Sequence, residues 1–303
     1  MVEVWICPVD GINHGKWMFM ADGFEDSDEA QLFINQQKLI DDRWPKITYR
    51  YKIKDSEMKQ ALNRVTLTGA DDTVTNFGQL IDLSKRYPFV EWGILASESQ
   101  QGGHRFPSKT WIDSFAQAVT LSSVNATVCI HVCGKWVREI CRGNWQPLYN
   151  NVGPILSIAK RIQLNFHAYK HLVNDNFYSA ARRQCGNNGW QIIFQVDGVN
   201  DHLVSNAIDE GINAVPLYDK SGGAGVVPEE WPKQMAGVYS GYAGGLGPDN
   251  VISQLNKIDA AACSLYWIDM ESRLYDGHNF DLGHCENVLR QCLGHVGHLS
   301  ANS

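Results

Sequence analysis

Apolar and polar positions in this chain follow two periods that take turns along its length. In Arg161-Ile162-Gln163-Leu164-Asn165-Phe166-His167, Ile162, Leu164 and Phe166 alternate with Gln163, Asn165 and His167. Gln191 to Asp197 repeats the pattern, with Ile192, Phe194 and Val196 set against Gln195 and Asp197. His131 sits between Ile130 and Val132, and Thr66 and Thr68 alternate with Val65 and Leu67. A period of two marks strands whose two faces meet different surroundings. With Val90 to Ala96, Ala214 to Asp219, Gly237 to Ala243 and Leu265 to Glu271, eight strands are expected from residue 65 onward. Between them, Asn76 to Tyr87, Ser108 to Leu121, Lys135 to Cys141, Asn200 to Glu210, Pro248 to Ile258 and Asp281 to Cys292 carry apolar residues at spacings of three and four, the helical period.

Strands alternating with helices imply right-handed crossovers and a parallel sheet. Strands of an open parallel sheet are apolar on both faces, which these are not. Polar side chains on one face near the strand C-terminal ends fit a closed α/β barrel, a (β/α)₈ TIM barrel over 61–303, with those side chains lining its mouth. A polar ligand held there is the expectation. A self-satisfied network of buried hydrogen bonds is the bland alternative.

Residues 1–60 stand outside the repeat. Val2 to Cys7, Lys16 to Met20 and Lys46 to Lys54 read as strands and Ser27 to Ile40 as a helix, a small α+β N-terminal appendage. Packing, self-association into a homo-oligomer and partner binding are its open roles, and no catalytic constellation falls within it.

The 303 residues carry a net charge of −7, with 44% hydrophobic content. No basic stripe is available to neutralise the phosphates of a nucleic acid, although a small anionic or phosphorylated substrate remains compatible. No apolar run is long enough for a membrane span, and Met1 to Asp10 does not read as a signal peptide, so the cytoplasm is the expected compartment. The eight cysteines form no zinc-finger spacing. Cys129, His131 and Cys133 share a strand face, but residues four apart on a strand lie about 13 Å apart, so the three cannot hold one ion. His131, Asp197 and Asp219 are the one metal set left to consider, and no metal is expected. Nicotinamide, flavin and nucleotide-triphosphate motifs are absent, so no cofactor is implied.

Several motifs follow one another in order. Leu217-Tyr218-Asp219 leads into Gly222-Gly223-Ala224-Gly225 and Trp231; Ala243-Gly244-Gly245-Leu246 leads into Pro248, Asn250 and Val251; Ile268-Asp269-Met270-Glu271-Ser272 precedes Gly277 and Asp281; and Arg105 follows the second strand and Ser97. Glycine turns bring backbone N–H groups close to an anion, and a helix N-terminus beyond adds a favourable dipole. From Thr66 to Leu289 this order resembles phosphoribosylanthranilate isomerase, a (β/α)₈-barrel enzyme that performs an Amadori rearrangement. The resemblance implies that Asp219 is the general acid and that Arg105 faces the anthranilate carboxylate. It further implies that Gly244, Gly245 and Leu246 form a phosphate loop, that Gly222 and Gly223 belong to the sixth-strand glycine turn, and that Glu271 and Ser272 stand at the eighth-strand substrate-binding motif.

Two departures bear on function. The family's first-strand cysteine, its base, corresponds to Thr68, and an aliphatic hydroxyl has no accessible basic form. The small eighth-strand residues are also altered: Glu271 would repel a phosphate if it faced inward, while Arg273 would offset it. Two readings result. One is an isomerase with Asp219 as acid and a substitute base, Cys133 or His131, whose substrate contacts include Asn165, Gln195 and Asp197. The other is a barrel that keeps a binding or regulatory role without the chemistry.

Overall fold

The computed structural model describes residues 3–8, 17–19, 47–52, 61–165, 175–220, 222 and 224–296. The chain divides into two compact units, Met1–Met58 and Lys59–Ser303. In the first, β1 (Glu3–Pro8) is the centre of an antiparallel sheet, flanked by β2 (Trp17–Phe19) and β3 (Ile47–Lys52). The helix expected over Ser27 to Ile40 lies outside the described residues.

The second unit is a closed parallel barrel of eight strands, as the alternation predicts. In chain order these are β4 (Ala61–Thr68), β5 (Val90–Ala96), β6 (Thr127–Val132), β7 (Arg161–Leu164), β8 (Gln191–Val196), β9 (Ala214–Tyr218), β10 (Ser240–Ala243) and β11 (Leu265–Met270). Each pairs with its sequence neighbours, and β11 closes the ring on β4, with Asp269 opposite Thr66. All six predicted helices form, as α1 (Phe77–Arg86), α2 (Lys109–Leu121), α3 (Gly134–Cys141), α6 (Asp201–Asp209), α7 (Val251–Ala261) and α8 (Leu282–Cys292). Asn76, Ser108 and Asp281 cap α1, α2 and α8 by accepting from the first-turn N–H groups of Gly78, Trp111 and His284. Two further helices, α4 (Gln146–Leu156) and α5 (Asp175–Asn188), complete the outer layer, and a short hairpin, β12 (Tyr275–Asp276) with β13 (Asn279–Phe280), follows β11. Phe166 and His167, read as the end of the fourth barrel strand, lie outside the described residues.

The strand alternation sorts the core into two parts. Val65, Leu67, Ile130, Val132, Ile162, Leu164, Ile192, Phe194 and Val196 join the large apolar cluster that contains the buried faces of the helices. Cys129, Ile193, Val215, Leu217, Ala243 and Trp267 form a separate, smaller cluster. Trp267 has its space because Gly241 carries no side chain: a Cβ there would overlap the indole ring.

A buried ion cluster adjoins this smaller core. Glu91, fully buried, accepts from Arg64 Nη1 at 2.8 Å, Thr66 Oγ1 at 2.9 Å and Arg161 Nη1 at 2.9 Å. The Arg161 guanidinium lies over the Trp267 ring, 4.0 Å from its centroid. Burial alone would raise the Glu91 carboxyl, but the two arginines and Thr66 hold it below the usual carboxylate range. Glu91 is saturated by these donors, whereas Arg161 Nε and Nη2 are buried without a hydrogen-bond partner among the described residues, so the cluster is only partly satisfied.

Candidate active site

A cavity of about 270 Å³ is bounded by residues from the C-terminal ends of the barrel strands and the loops that follow them. Every barrel strand but the first contributes to its wall. Leu95 comes from β5, His131 and Cys133 from β6 and its end, Gln163 and Asn165 from β7, and Gln195 from β8. Leu217 and Asp219 come from β9, Ala243 to Leu246 from β10 and its turn, and Asp269 to Ser272 from β11. Arg105, Gly222 and Gly225 reach it from loops.

One wall is a ladder of amides. Gln163 Nε2 donates to Asn165 Oδ1 at 2.9 Å, and Asn165 Nδ2 donates to Cys133 Sγ at 3.3 Å. Farther round, Gln195 Nε2 donates to Asp219 Oδ2 at 2.7 Å. The Asp219 backbone N–H continues the strand pairing to Val196 O at 3.0 Å, so main chain and side chain are both anchored. Gly244, with φ +122°, passes beside this carboxyl, and a Cβ there would stand 3.8 Å from Asp219 Oδ1. Asn250 Oδ1 receives the Gly247 N–H at 3.0 Å and its Nδ2 donates to Gly245 O at 2.9 Å, pinning the glycine turn at the start of α7.

At the mouth, Glu271 lines the cavity and is ion-paired to Arg105 Nη1 at 2.8 Å. Burial raises the Glu271 carboxyl, Arg105 opposes the rise and Asp219 adds to it. Arg105 is the one non-glycine residue with positive φ among those described, at +70°, and its N–H is held by Asp71 Oδ2 at 2.9 Å.

Deeper in, Thr68 Oγ1 donates to Asp269 Oδ1 at 2.7 Å, while Asp269 Oδ2 lies 4.0 Å from His131 Nδ1, beyond hydrogen-bond length. Burial pushes the Asp269 carboxyl up to about 8, assisted by the charges of Glu271, Asp219 and Glu91 and opposed by the Thr68 hydrogen bond. Burial pushes the His131 imidazole down to about 3, so the ring is neutral near pH 7. The Cys133 thiol is pushed up to about 12 by burial and the charge of Glu271, against the hydrogen bond from Asn165.

Most of the residues singled out in the sequence therefore meet around one cavity: Asp219, His131, Cys133, Arg105, Asn165, Gln195, Gly222, Gly244, Gly245, Leu246, Glu271 and Ser272. Two lie elsewhere. Thr68 is fully buried and absent from the wall, its hydroxyl turned to Asp269. Asp197 is also absent from it; its Oδ1 accepts from the N–H groups of Val199 and Asn200 at 2.9 and 3.3 Å, in the turn before α6. Gly223 lies outside the described residues. Among those described, no three His, Cys, Asp or Glu side chains are placed to hold a metal ion, and no helix is long and apolar enough to cross a membrane. Gln163, whose strand alternation pointed it inward, and Asp269, part of the eighth-strand motif, also belong to the wall, although neither was given a role of its own. The signal for Asp269 was its place two residues from Glu271, on the same face of a strand.

This is the site of a (β/α)₈ barrel. The sequence matches no family model and no curated protein. Among solved structures, the chain is similar to phosphoribosyl anthranilate isomerase from Thermus thermophilus, with 14% identity and a TM-score of 0.50 over 76% of this chain and 98% of that one. It is also similar to the Thermotoga maritima enzyme of the same name, with 14% identity and a TM-score of 0.47 over 77% and 100% of the two chains. A third similar structure is 3-keto-L-gulonate-6-phosphate decarboxylase from Vibrio cholerae, with 8% identity and a TM-score of 0.44 over 78% and 100%. The resemblance read from the motifs is thus borne out as a likeness of fold. At such identities the chemistry must be argued from the residues.

Proposed function

We propose that the barrel is an isomerase of a small anionic, sugar-derived substrate, with Asp219 as its general acid. The observation that carries this reading is the placement of Asp219: a nearly buried carboxyl on the wall of a polar cavity, oriented by Gln195 and flanked by the glycine turn of Gly244 and Gly245. A positioned carboxylic acid can protonate the ring oxygen of a sugar as its C1–O bond breaks. The amides of Gln163, Asn165 and Gln195 suit the hydroxyl groups of an opened chain. The glycine turn and the N-terminus of α7 suit its phosphate.

A second reading, a binding module without turnover, draws on the ion pair of Arg105 with Glu271, which neutralises the one arginine of the cavity wall among the described residues. The experiment that separates the two follows the fluorescence loss of freshly prepared phosphoribosylanthranilate, corrected for spontaneous decay, with Asp219→Asn as control. Turnover that falls at least about 10²-fold in the variant is the expected result. Wild-type decay equal to the spontaneous rate would sink the isomerase reading for this substrate and favour the binding module.

A further inference from the structure

An isomerase of this kind needs a second group, one that takes a proton from carbon. Thr68 does not line the cavity, and its hydroxyl is a donor, not an acceptor, in the bond it makes to Asp269. His131 is a weak base in its buried setting, and Cys133 holds its proton through the neutral range. The remaining proton acceptors on the cavity wall are carboxyls. Glu271 is committed to Arg105. Asp269, also on the wall, is not so committed: Thr68 fixes Oδ1, while Oδ2 lies 4.0 Å from His131 Nδ1, beyond hydrogen-bond length. The space for this arrangement is specific. A Cβ on Gly93 would overlap Thr68 Oγ1 and stand 3.0 Å from His131 Nε2, so glycine on β5 lets the two side chains approach over the strand.

We propose that Asp269 is the group that removes and returns the carbon-bound proton of the substrate, and that Thr68 is its positioning residue. This rests on the isomerase reading above, in which Asp219 handles the oxygen-bound protons. With phosphoribosylanthranilate, whose sugar C1 carries a nitrogen, Asp219 gives its proton to the ring oxygen as the C1–O bond breaks and the nitrogen lone pair forms C=N. Asp269 then takes the C2 proton; the C–H electron pair becomes the C1=C2 bond, and the C=N pair returns to nitrogen. Asp269 next delivers its proton to C1, while the O2–H electron pair forms the ketone and that proton restores Asp219. Both carboxyls end as they began, and no other reactant is consumed.

The basicity of Asp269 suits the task. A carboxyl raised to about 8 accepts a proton about as well as the thiolate that a free cysteine would offer. The groups that face it are Thr68 on β4, Glu91 on β5, Cys129 and His131 on β6, Asp219 after β9 and Glu271 beyond its own strand. His131 is neutral above pH 7 and contributes no change there, and Glu271, though also raised by burial, is held by Arg105. The response of the rising limb to Thr68, whose hydroxyl bonds Asp269 alone among the described residues, therefore identifies its owner.

The test measures kcat and KM for phosphoribosylanthranilate between pH 6 and 9.5 in the wild type, Asp269→Asn, Thr68→Val, Thr68→Ser and Asp219→Asn. Expected are a wild-type rate that rises through about pH 8 and a fall of at least about 10²-fold in kcat for Asp269→Asn, with KM within about threefold. Thr68→Val removes the hydrogen bond that favours the carboxylate, so its limb moves to higher pH, and Thr68→Ser moves it back. The threonine variants keep the carboxyl and decide the question even if Asp269→Asn does not fold. Wild-type turnover that depends on Asp219, with near-normal kcat in Asp269→Asn or a limb unmoved in Thr68→Val, would overturn this assignment and leave the isomerase reading standing. Absence of wild-type turnover would overturn both.

Discussion

Arg105 and Glu271 face each other at 2.8 Å on the wall of the cavity, the arginine from the loop after the second barrel strand and the glutamate from the end of the eighth. Their charges cancel where an incoming anion would need a free cation, so an anion must compete with a carboxylate already in place. Glu271→Gln frees the guanidinium while keeping the shape. Binding of inorganic phosphate, measured by calorimetry at low ionic strength, is expected to tighten by roughly tenfold, or about 1.4 kcal/mol. Equal or weaker binding would show that Arg105 does not contact the anion.

Glu91 ties two arginines and a threonine together, and its removal leaves Arg161 buried without its counter-charge. Breaking a buried pair from one side costs about 3 to 5 kcal/mol, so Glu91→Gln should lower the urea midpoint steeply. The pH dependence follows from the lowered carboxyl of Glu91 in the folded state. Its stabilisation is present above the ordinary carboxylate range and is lost as pH falls through the folded value. The variant should therefore show a shallower acid-side slope than the wild type; parallel slopes would refute the assignment.

The fold was legible because alternation in a barrel strand reports which side chains face in. Ile162 and Leu164 join the outer apolar cluster, while Gln163 lines the cavity, as their parity requires. Two helices were not legible. Pro154 and the non-helical φ of −130° at Val152 interrupt the period in Gln146–Leu156, and Asp175–Asn188 is too polar to display an apolar stripe. In the site, alternation gives the face but not the height along the barrel axis, which the stagger between strands sets. Thr68 and Asp269 have inward parity, yet Asp269 reaches the cavity wall and Thr68 stays behind it. For Asp197, the turn formed with Val199 and Asn200 overrides the parity of its strand.

Asp269 also leaves a mark on stability that requires no substrate. Its folded-state carboxyl is raised to about 8. A raised group stabilises the fold fully below its unfolded value, near 4, and that contribution is lost as pH rises through the folded value. Asp269→Asn cannot ionise, so the gap in unfolding free energy should move in its favour from pH 6.5 to pH 9. A constant gap over that interval, from urea melts, would mean that Asp269 ionises normally.

Gly93 provides the last prediction because it serves two side chains at once. Its missing Cβ leaves room for Thr68 Oγ1, and for His131 Nε2 at 3.0 Å from the Cβ position. Neither neighbour can swing far, since Thr68 is fully buried and bonded to Asp269, and His131 is buried as well. Gly93→Ala should therefore overpack the barrel interior and cost about 1 to 3 kcal/mol. In the double variant with Thr68→Ala, the displaced hydroxyl is gone and a measurable part of that loss should return, a coupling typical of residues in contact. Additive losses in denaturant melts would mean that the two positions do not share the space between the first and second barrel strands.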